Sequence, residues 1–260
     1  MCSCLFILNL NPVLLDLGFL QIRYYSLAYI IGFLLAYYVL YKAAKSKKVE
    51  NLTEESVEDF MIYLILGVII GGRLGYFIFY DPSTFWTQPL EVLKIWLGGM
   101  SFHGGLIGGI IGYYFFRKKH NIKFYDLADI ISLPLAFALV LGRIANFING
   151  ELWGTISNAP WCVKFQDVEG CRHPSQLYEA LKNFIIFGVL FFMNKKVFPR
   201  GTLFWAFVTL YGLGRFIVDF YRVPTTLIAG IPIGQILNFA MIFVGGYFLY
   251  KINKTKTFIK

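Results

Sequence analysis

Seven long apolar stretches recur along this chain of 260 residues and constrain its fold more than any other feature. Each is long enough to cross a hydrocarbon core of about 30 Å as a helix. Their continuous apolar character does not match the alternation of a membrane β-barrel. We therefore predict an all-α, polytopic membrane protein of about seven transmembrane helices. The predicted spans are 24–41, 60–80, 97–116, 127–148, 177–194, 202–218 and 233–250.

The composition supports this prediction. Apolar residues make up 57% of the chain and charged residues only 15%, against about 25% charged residues in an average soluble domain. Such a composition argues against a soluble enzyme, a disordered chain and a nucleic-acid-binding protein.

The Lys and Arg residues are concentrated in alternate connections. Most of the 24 follow the first, third, fifth and seventh stretches. Because positively charged loops face the cytoplasm, this pattern predicts an outside N-terminus and a cytoplasmic C-terminus. It also accounts for the net charge of +9 without a nucleic-acid partner.

The longest connection, 149–176, is predicted to form a small extracytoplasmic cap on a single integral-membrane domain, 1–260. Cys162 and Cys171 both lie in this loop, where they could form a disulfide or remain free thiols. The three histidines are isolated in the sequence, so no metal site is predicted. The first 20 residues lack the basic start of a signal peptide and are expected to lie on the outer membrane surface.

Glycines recur every fourth residue at Gly104, Gly108 and Gly112. Small residues at this spacing let two membrane helices approach closely, so we expect a helix-packing face here. A nucleotide-binding loop is excluded, since no strand precedes these glycines and no Lys-Ser or Lys-Thr pair follows them.

Four groups within the predicted spans share one depth: Arg73, His103, Arg143 and Arg215. Charged side chains in a membrane are costly and usually functional. Counted at about 1.5 Å per residue from the span ends, all four fall in the outer half of the membrane. We therefore predict one cationic pocket that opens to the outer leaflet.

Most of these groups also have a simpler explanation. Arg215 and Asp219 are i, i+4 neighbours and could neutralise each other. Arg73 could be a structural arginine that extends to the interface, and His103 could be a packing residue.

Arg143 is harder to explain structurally, because Asp129 lies about four turns away on the same helix. The polar run Arg143, Asn146, Asn149 and Glu151 leads out of the membrane instead. Since arginine binds phosphate with a fork of donors, the residues alone predict an outer-leaflet phospholipid site.

Four motifs resemble those of one enzyme family. The segment 142–154 (GRIANFINGELWG) is similar to the signature of prolipoprotein diacylglyceryl transferases, and three shorter segments resemble further motifs in family order. The family often has a glutamate where Asp219 stands and an arginine where Thr155 follows the signature. The shorter segments are 101–105 (SFHGG), 173–179 (HPSQLYE) and 211–216 (YGLGRF).

The resemblance implies a transferase in the bacterial cytoplasmic (inner) membrane, with its active site facing the outer leaflet. It would move the diacylglyceryl group of phosphatidylglycerol to the lipobox cysteine thiol of prolipoprotein signal peptides. A thioether would form and glycerol phosphate would leave, as the first step of bacterial lipoprotein maturation. No cofactor and no metal are implied.

The matching motif positions supply the candidate site residues. The implied catalytic residues are His103, Arg143, Glu151, Tyr211 and Arg215. The residues implied in phosphatidylglycerol binding are Tyr25, Arg143, Asn146, Gly154 and Arg215.

The reaction suggests how these residues divide the work. Arg143 and Arg215 would hold the phosphate, which gains charge as it leaves, while Asn146 and Tyr211 donate hydrogen bonds to it. His103 would be the base for the thiol or a group that orients it. Glu151 would orient an arginine or the following loop, because a carboxylate repels phosphate.

Two other classes of protein compete with the transferase. A secondary transporter for an anionic solute would collect arginines near the bilayer midplane, usually in repeated and broken helices. A receptor-like seven-helix protein would not need several basic groups at one depth. We expect neither, because the chain shows no repeat and its basic groups lie towards one leaflet.

Overall fold

The computed structural model describes residues 6–18, 21–95, 98–224, 227–228 and 231–255, and its long elements are all α-helices. A 3₁₀ turn, Pro89–Leu93, follows the short third helix. The described helices are α1 (Tyr24–Lys45), α2 (Glu54–Phe79), α3 (Pro82–Thr87), α4 (Phe102–His120), α5 (Phe124–Ile148), α6 (Ser175–Met193), α7 (Thr202–Asp219) and α8 (Ile233–Thr255).

Six of the described helices are long and apolar enough to cross a membrane: α1, α2, α5, α6, α7 and α8. The prediction of a helical, polytopic membrane protein is confirmed at this level. Helix α4 falls outside the group, because its last turn carries Arg117, Lys118 and Lys119. The seventh crossing and the orientation of the two termini stay predictions.

Two helices begin several residues away from the predicted span starts. Helix α4 begins at Phe102 rather than at residue 97, because Gly98 and Gly99 have φ values of 83° and 73° and Ser101 caps the helix. Helix α2 begins at Glu54 rather than at residue 60, since Thr53 forms a capping box with Ser56.

Short strands accompany the helices. They form three two-stranded sheets, in which β1 pairs with β4 in parallel, and β2 with β3 and β5 with β6 are antiparallel. The strands are β1 (Phe6–Ile7), β2 (Val13–Asp16), β3 (Gln21–Arg23), β4 (Val163–Lys164), β5 (Leu227–Ile228) and β6 (Ile231–Pro232).

The N-terminal segment that was expected at the membrane surface therefore contains strands. Its side chains at Leu14, Leu15 and Leu17 are exposed. Its position at a membrane surface stays a prediction. Cys2 and Cys4 lie outside the described residues.

The chain forms two compact units. One contains residues 1–36 and 125–260, and the other contains residues 37–124. The expectation of one integral-membrane domain over 1–260 stays a prediction.

In the unit 37–124, helices α2 and α4 pack backbone to backbone through glycines. A Cβ atom at Gly108 would lie 1.9 Å from the carbonyl oxygen of Gly67, and one at Gly104 would lie 2.2 Å from that of Gly71. At Gly112 a Cβ would lie 2.3 Å from the Tyr63 carbonyl oxygen. The predicted helix-packing role of the glycine stripe is confirmed.

In the larger unit, α5, α6 and α7 share an apolar core. At one end, the Asp129 carboxylate of α5 accepts hydrogen bonds from the backbone N–H groups of Gly201 and Phe204, at 2.6 and 2.8 Å. These bonds cap the start of α7 and fix it against α5. The buried core residues are Ala136, Ile186, Leu190, Ala206 and Phe207.

The connection between α5 and α6 is folded. Cys162 and Cys171 are joined by a disulfide, which decides between the two alternatives left by the sequence. The backbones of Val163 and Arg172 exchange hydrogen bonds of 2.9 and 3.0 Å, and Phe165 is fully buried beneath them. That this segment lies outside the cytoplasm stays a prediction.

We expect Gly108→Ala to destabilise the protein, because the added methyl group would collide with the Gly67 carbonyl oxygen and push α4 from α2. Overpacking of this kind costs about 1–3 kcal/mol. The midpoint of thermal unfolding in detergent should fall. Gly188→Ala on α6 is the matched control, since a Cβ there meets nothing within 4 Å. Equal midpoints for the two variants would contradict the close packing.

Candidate anion-binding site

Three arginines converge on one buried carboxylate in the larger unit. Glu179 of α6 is only 1% exposed. Its Oε2 atom lies 3.0 Å from Arg143 Nε at the end of α5, and its Oε1 atom lies 2.8 Å from Arg222 Nη1. Arg215 Nη1, near the end of α7, also donates to Glu179 Oε1. The structure therefore brings Arg143 and Arg215 together, while their part in binding phosphate stays a prediction.

The helix geometry explains why the two predicted arginines meet. Arg143 follows Asp129 by 14 residues on α5, and Arg215 follows Gly201 by 14 residues on α7. Asp129 bonds to Gly201, so the two parallel helices start in register. At about 1.5 Å per residue both arginines lie about 21 Å from that contact. Glu179 approaches them from the antiparallel helix α6.

The start of α6 is fixed to the loop that follows α5. Ser175 Oγ donates to the Leu152 carbonyl oxygen at 2.8 Å, and Gln176 Nε2 donates to the Glu151 carbonyl oxygen at 2.6 Å. Glu179 follows one turn later. The loop after the signature segment therefore positions the carboxylate that the arginines share.

Two further charged groups complete the arrangement. Lys182, one turn along α6, places Nζ 3.8 Å from Glu179 Oε2. Asp219 Oδ1 lies 3.1 Å from Arg215 Nε, and its Oδ2 accepts a 2.7 Å hydrogen bond from Asn238 Nδ2. The i, i+4 pairing of Arg215 with Asp219 exists, but Arg215 also contacts Glu179. We call Arg143, Glu179, Lys182, Arg215, Asp219 and Arg222 the Glu179 cluster.

The Glu179 cluster has more basic than acidic side chains. Four basic groups face two carboxylates, which leaves an excess of two positive charges when all are ionised. Burial lowers the pKa of Arg222, and the neighbouring Arg143 lowers it further. Such crowding of like charges in a poorly solvated place favours the binding of an anion.

A hydrogen-bonded chain links Arg143 to the predicted polar exit. Arg143 Nη1 donates to Asn146 Oδ1 at 3.3 Å, and Asn146 Nδ2 donates to Glu151 Oε1 at 2.7 Å. Asn149 Nδ2 reaches the same Glu151 oxygen at 3.2 Å. Glu151 is therefore linked to Arg143 through Asn146, and its role in orienting the arginine stays a prediction.

Gly154 lies where three backbone segments meet. Its N–H donates to the His173 carbonyl oxygen at 2.9 Å, and it forms a bridge with Arg222. A Cβ atom there would lie 2.4 Å from the Tyr221 carbonyl oxygen. This packing aligns Arg222 with the Glu179 cluster, while the predicted contact of Gly154 with lipid stays a prediction.

Tyr25 and Tyr211 also belong to the larger unit. Tyr25 Oη, in the first turn of α1, lies 3.3 Å from Tyr29 Oη. The Tyr211 ring of α7 lies beneath Lys182 Nζ, which is 3.8 Å from the ring centroid. Tyr211 thus lies beside the cluster, and the roles of both Tyr25 and Tyr211 stay predictions.

Arg73 has the structural role that the sequence left open. It is 5% exposed, and its guanidinium donates to the carbonyl oxygens of residues 91, 92, 94, 98 and 99, with the four bonds other than that to Gly98 measuring 2.7–3.2 Å. A guanidinium has five N–H donors, and these backbone bonds use them. Arg73 therefore holds the connection between α3 and α4 in the unit 37–124.

His103 lies in the unit 37–124, as the second residue of α4. Its side chain is exposed and its ring packs edge-on against Phe102. Its predicted place beside Arg143 and Arg215 stays a prediction.

A groove of about 590 Å³ runs between α6 and α7. Aromatic side chains lie at one end, where Trp161 Nε1 donates to Tyr178 Oη at 2.7 Å and His173 Nδ1 lies 2.9 Å from the same oxygen. Burial lowers the pKa of His173, which favours the neutral form of the ring. Lys182 is the one lysine or arginine among the described residues that line the groove.

The sequence reasoning missed Glu179, Lys182 and Arg222 as site residues. Glu179 and Lys182 lie within the predicted span 177–194, where charged residues signal function. Comparing acidic as well as basic groups inside the spans would have found both. Arg222 gave a weaker signal, because it follows the predicted span and looked like an ordinary loop residue.

Comparison with known proteins decides the family. The family model described as prolipoprotein diacylglyceryl transferase matches residues 12–251. The chain belongs to this family. The resemblance carried by the four motifs is confirmed, and it extends over most of the sequence.

Individual relatives agree with this assignment. A phosphatidylglycerol–prolipoprotein diacylglyceryl transferase of Geobacter sulfurreducens is 43% identical over 243 residues, which cover 91% of this chain and 93% of the relative. A relative of the same name from Rickettsia rickettsii is 41% identical over 254 residues, or 94% and 98%. One from Ehrlichia ruminantium is 42% identical over 249 residues, or 92% and 95%.

We expect Glu179→Gln to lower stability strongly, because it removes the buried carboxylate that separates three half-buried arginines while keeping the shape of the side chain. Breaking a buried ion pair in this way costs about 3–5 kcal/mol. The measurement is the thermal unfolding midpoint in detergent. Added anionic lipid should restore part of the loss.

Glu91→Gln is the matched control, because it removes a carboxylate from the partly exposed Glu91–Lys94 pair. Pairs of this kind contribute at most about 1 kcal/mol. A Glu179→Gln protein that unfolds no earlier than the control would show that the arginines do not depend on Glu179.

Proposed function

We propose that this chain transfers the diacylglyceryl group of phosphatidylglycerol to the lipobox cysteine thiol of prolipoprotein signal peptides, the first step of bacterial lipoprotein maturation. Family membership supports the reaction, and the observation that carries its assignment to a site is the excess positive charge of the Glu179 cluster. Basic groups from α5, α6 and α7 lie around Glu179 and Asp219, and these two carboxylates are too few to neutralise them.

The reaction needs a positively charged site because negative charge develops on the phosphate as it leaves. A C–S bond forms at the glyceryl carbon as its C–O bond to the phosphate breaks, and the bonding electrons remain on that oxygen. The thiol proton passes to a base. The phosphate changes from a monoanionic diester to a largely dianionic monoester, so fixed cations stabilise the transition state more than the bound lipid.

In this proposal Arg143 and Arg215 bind the phosphate, with Asn146 and Tyr211 as hydrogen-bond donors. Arg215 lies beside a small cavity of about 50 Å³ that Arg222 and Asp219 also line. Glu151 holds Asn146, and through it Arg143, in place.

The remaining candidates act at the edges of the site. Tyr25 and Gly154 contact the lipid, and His103 accepts the thiol proton or orients the thiol. The thiol is supplied by the substrate, so the enzyme needs no nucleophilic residue of its own. No cofactor and no metal take part in the proposed step.

We further propose that the protein lies in the inner membrane, with seven spans, an outside N-terminus and its active site facing the outer leaflet. The Cys162–Cys171 disulfide supports this orientation, because disulfides persist outside the cytoplasm. The loop that carries it leads directly into the start of α6, near Glu179. Basic residues gather at the other ends of helices, as at Lys42 and Lys45 of α1.

The direct test is a transfer assay with purified protein, phosphatidylglycerol and a lipobox peptide. We expect the peptide to gain the mass of one diacylglyceryl group, and the Arg143→Ala enzyme to be slower by about 100-fold or more. Arg117→Ala is the matched control, because Arg117 is exposed at the end of α4. Transport or receptor function predicts no mass gain at all.

Near-normal transfer by folded Arg143→Ala protein would contradict the phosphate site while leaving the reaction itself in place. Absence of mass gain with wild-type protein would instead contradict the proposed reaction.

The role of His103 can be tested by His103→Gln. If His103 is the base, transfer should fall and the loss should be smaller at high pH, where the thiol ionises by itself near its ordinary pKa of about 8.5. The measurement is the pH profile of kcat/KM from pH 6 to about 9. An unchanged profile with retained activity would show that His103 is not the base.

A further inference from the structure

Lys182 is a buried basic residue whose ammonium group has no hydrogen-bond partner. The residue is 8% exposed, and its Nζ atom is fully inaccessible and unbonded within the part of the chain that the structure describes. Glu179 Oε2 lies 3.8 Å away, beyond hydrogen-bond distance. An ammonium has three N–H donors, and burying them without acceptors is costly. The position therefore calls for an acceptor that the described residues do not provide.

Helix α7 is built to admit this lysine. A Cβ atom at Gly214 would lie 2.4 Å from Lys182 Cγ and 2.6 Å from its Cδ. Any larger residue at 214 would displace the lysine stem. The Tyr211 ring, one turn earlier on α7, faces the ammonium at 3.8 Å. The contact between α6 and α7 thus fixes the position of the Lys182 ammonium.

The Lys182 side chain borders both Glu179 and the groove between α6 and α7. Lys182 lies one turn from the aromatic end of the groove at Tyr178. Beyond it the groove is apolar, which suits an acyl chain. The apolar lining residues of α6 and α7 are Leu181, Ile185, Ile186, Val189, Leu210, Leu213, Ile217 and Val218.

We propose that Lys182 is a further phosphate-binding residue, which donates hydrogen bonds to the phosphate of a lipid whose acyl chain lies in this groove. The inference rests on the proposed function and adds a contact that the motif residues do not supply. An ammonium is a compact point charge, which can serve a phosphate oxygen from any direction. When Lys182 is ionised, the Glu179 cluster has two excess positive charges, which match the dianionic phosphate monoester that leaves. Without Lys182 the cluster has one excess positive charge.

A purely structural role for Lys182 would be to neutralise Glu179. The contacts argue against this role, because Arg143, Arg215 and Arg222 already contact the same carboxylate at closer range. Glu179 has no need of a fourth cation, whereas the Lys182 ammonium keeps all its N–H donors for a phosphate that Arg143 and Arg215 also bind.

The test compares Lys182→Met with wild type in the transfer assay. Methionine keeps the length and apolar stem of lysine but has no charge. We expect KM for phosphatidylglycerol to rise about 10- to 100-fold with a smaller change in kcat, as for the loss of a charged hydrogen bond. Inhibition by added glycerol 1-phosphate and by inorganic phosphate should weaken by a similar factor.

Asn183→Leu is the matched control, since Asn183 is the next residue and is also buried. Its amide has no hydrogen-bond partner in the described chain, and it is not part of the groove lining. It should change neither KM nor the inhibition constants. If Lys182→Met does not fold, Lys182→Gln removes the same charge while keeping a polar end, and the same changes are expected.

Three results would overturn the inference. Unchanged KM and inhibition constants would show that Lys182 does not bind phosphate. A rise in KM for the lipid with unchanged inhibition by both free phosphates would place Lys182 at another part of the lipid. A lower kcat and thermal midpoint with unchanged KM would make its role structural. In each case wild-type transfer still supports the proposed function, whose own failure would appear as an inactive wild-type enzyme.

Discussion

The site depends on one shared ion, the buried Glu179 carboxylate. Three arginines that would otherwise repel one another contact its two oxygens, from the end of α5, the end of α7 and the segment after α7. Desolvating these charges is expensive, so the cluster can persist only with its geometry well fixed. Asp129 at one end of α7 and the Ser175 and Gln176 contacts at the start of α6 provide this fixation.

Under the proposed function, this arrangement would also account for the recognition of a lipid rather than of a soluble phosphate alone. Phosphate needs fixed cations, and acyl chains need an apolar surface of their own length. Lys182 belongs both to the group of cations and to the apolar surface, because it borders Glu179 on one side and lines the α6–α7 groove on the other. In that proposal, recognition of the whole lipid would depend on one helix, α6, whose successive turns carry the carboxylate, the ammonium and the apolar wall.

Helix length and residue spacing made part of the site predictable from the sequence. Arg143 and Arg215 could be placed at one depth because each position counts residues along a straight helix, and the structure brings them together. Arg73 passed the same depth estimate, but five backbone carbonyl groups of a connection engage it, and no helical count foresees how a loop folds back. The start of α4 was misplaced because two glycines that read as apolar helix adopt positive φ.

Glu179 was overlooked for a different reason. Depth was compared among cations only, whereas the structure is organised by the anion that those cations share. A buried cluster of arginines requires a counter-charge, so two arginines at one depth already implied a carboxylate near that depth. Asp129 and Glu179 are the acidic residues inside the predicted spans, and Asp129 lies about four turns from Arg143. Glu179, in the first turns of α6, was therefore the remaining candidate opposite the ends of α5 and α7.

The excess of basic groups has a further consequence for the enzyme as a folded protein. Like charges held together in a low dielectric oppose folding, and here nothing within the described cluster cancels the last two. A chain under selection for stability alone would replace Lys182 with an apolar residue, since α6 is otherwise apolar on its groove side and Gly214 could then be larger. In the proposal for Lys182, this cost is offset in the liganded state, when an anion supplies the missing charge and the missing hydrogen-bond acceptors.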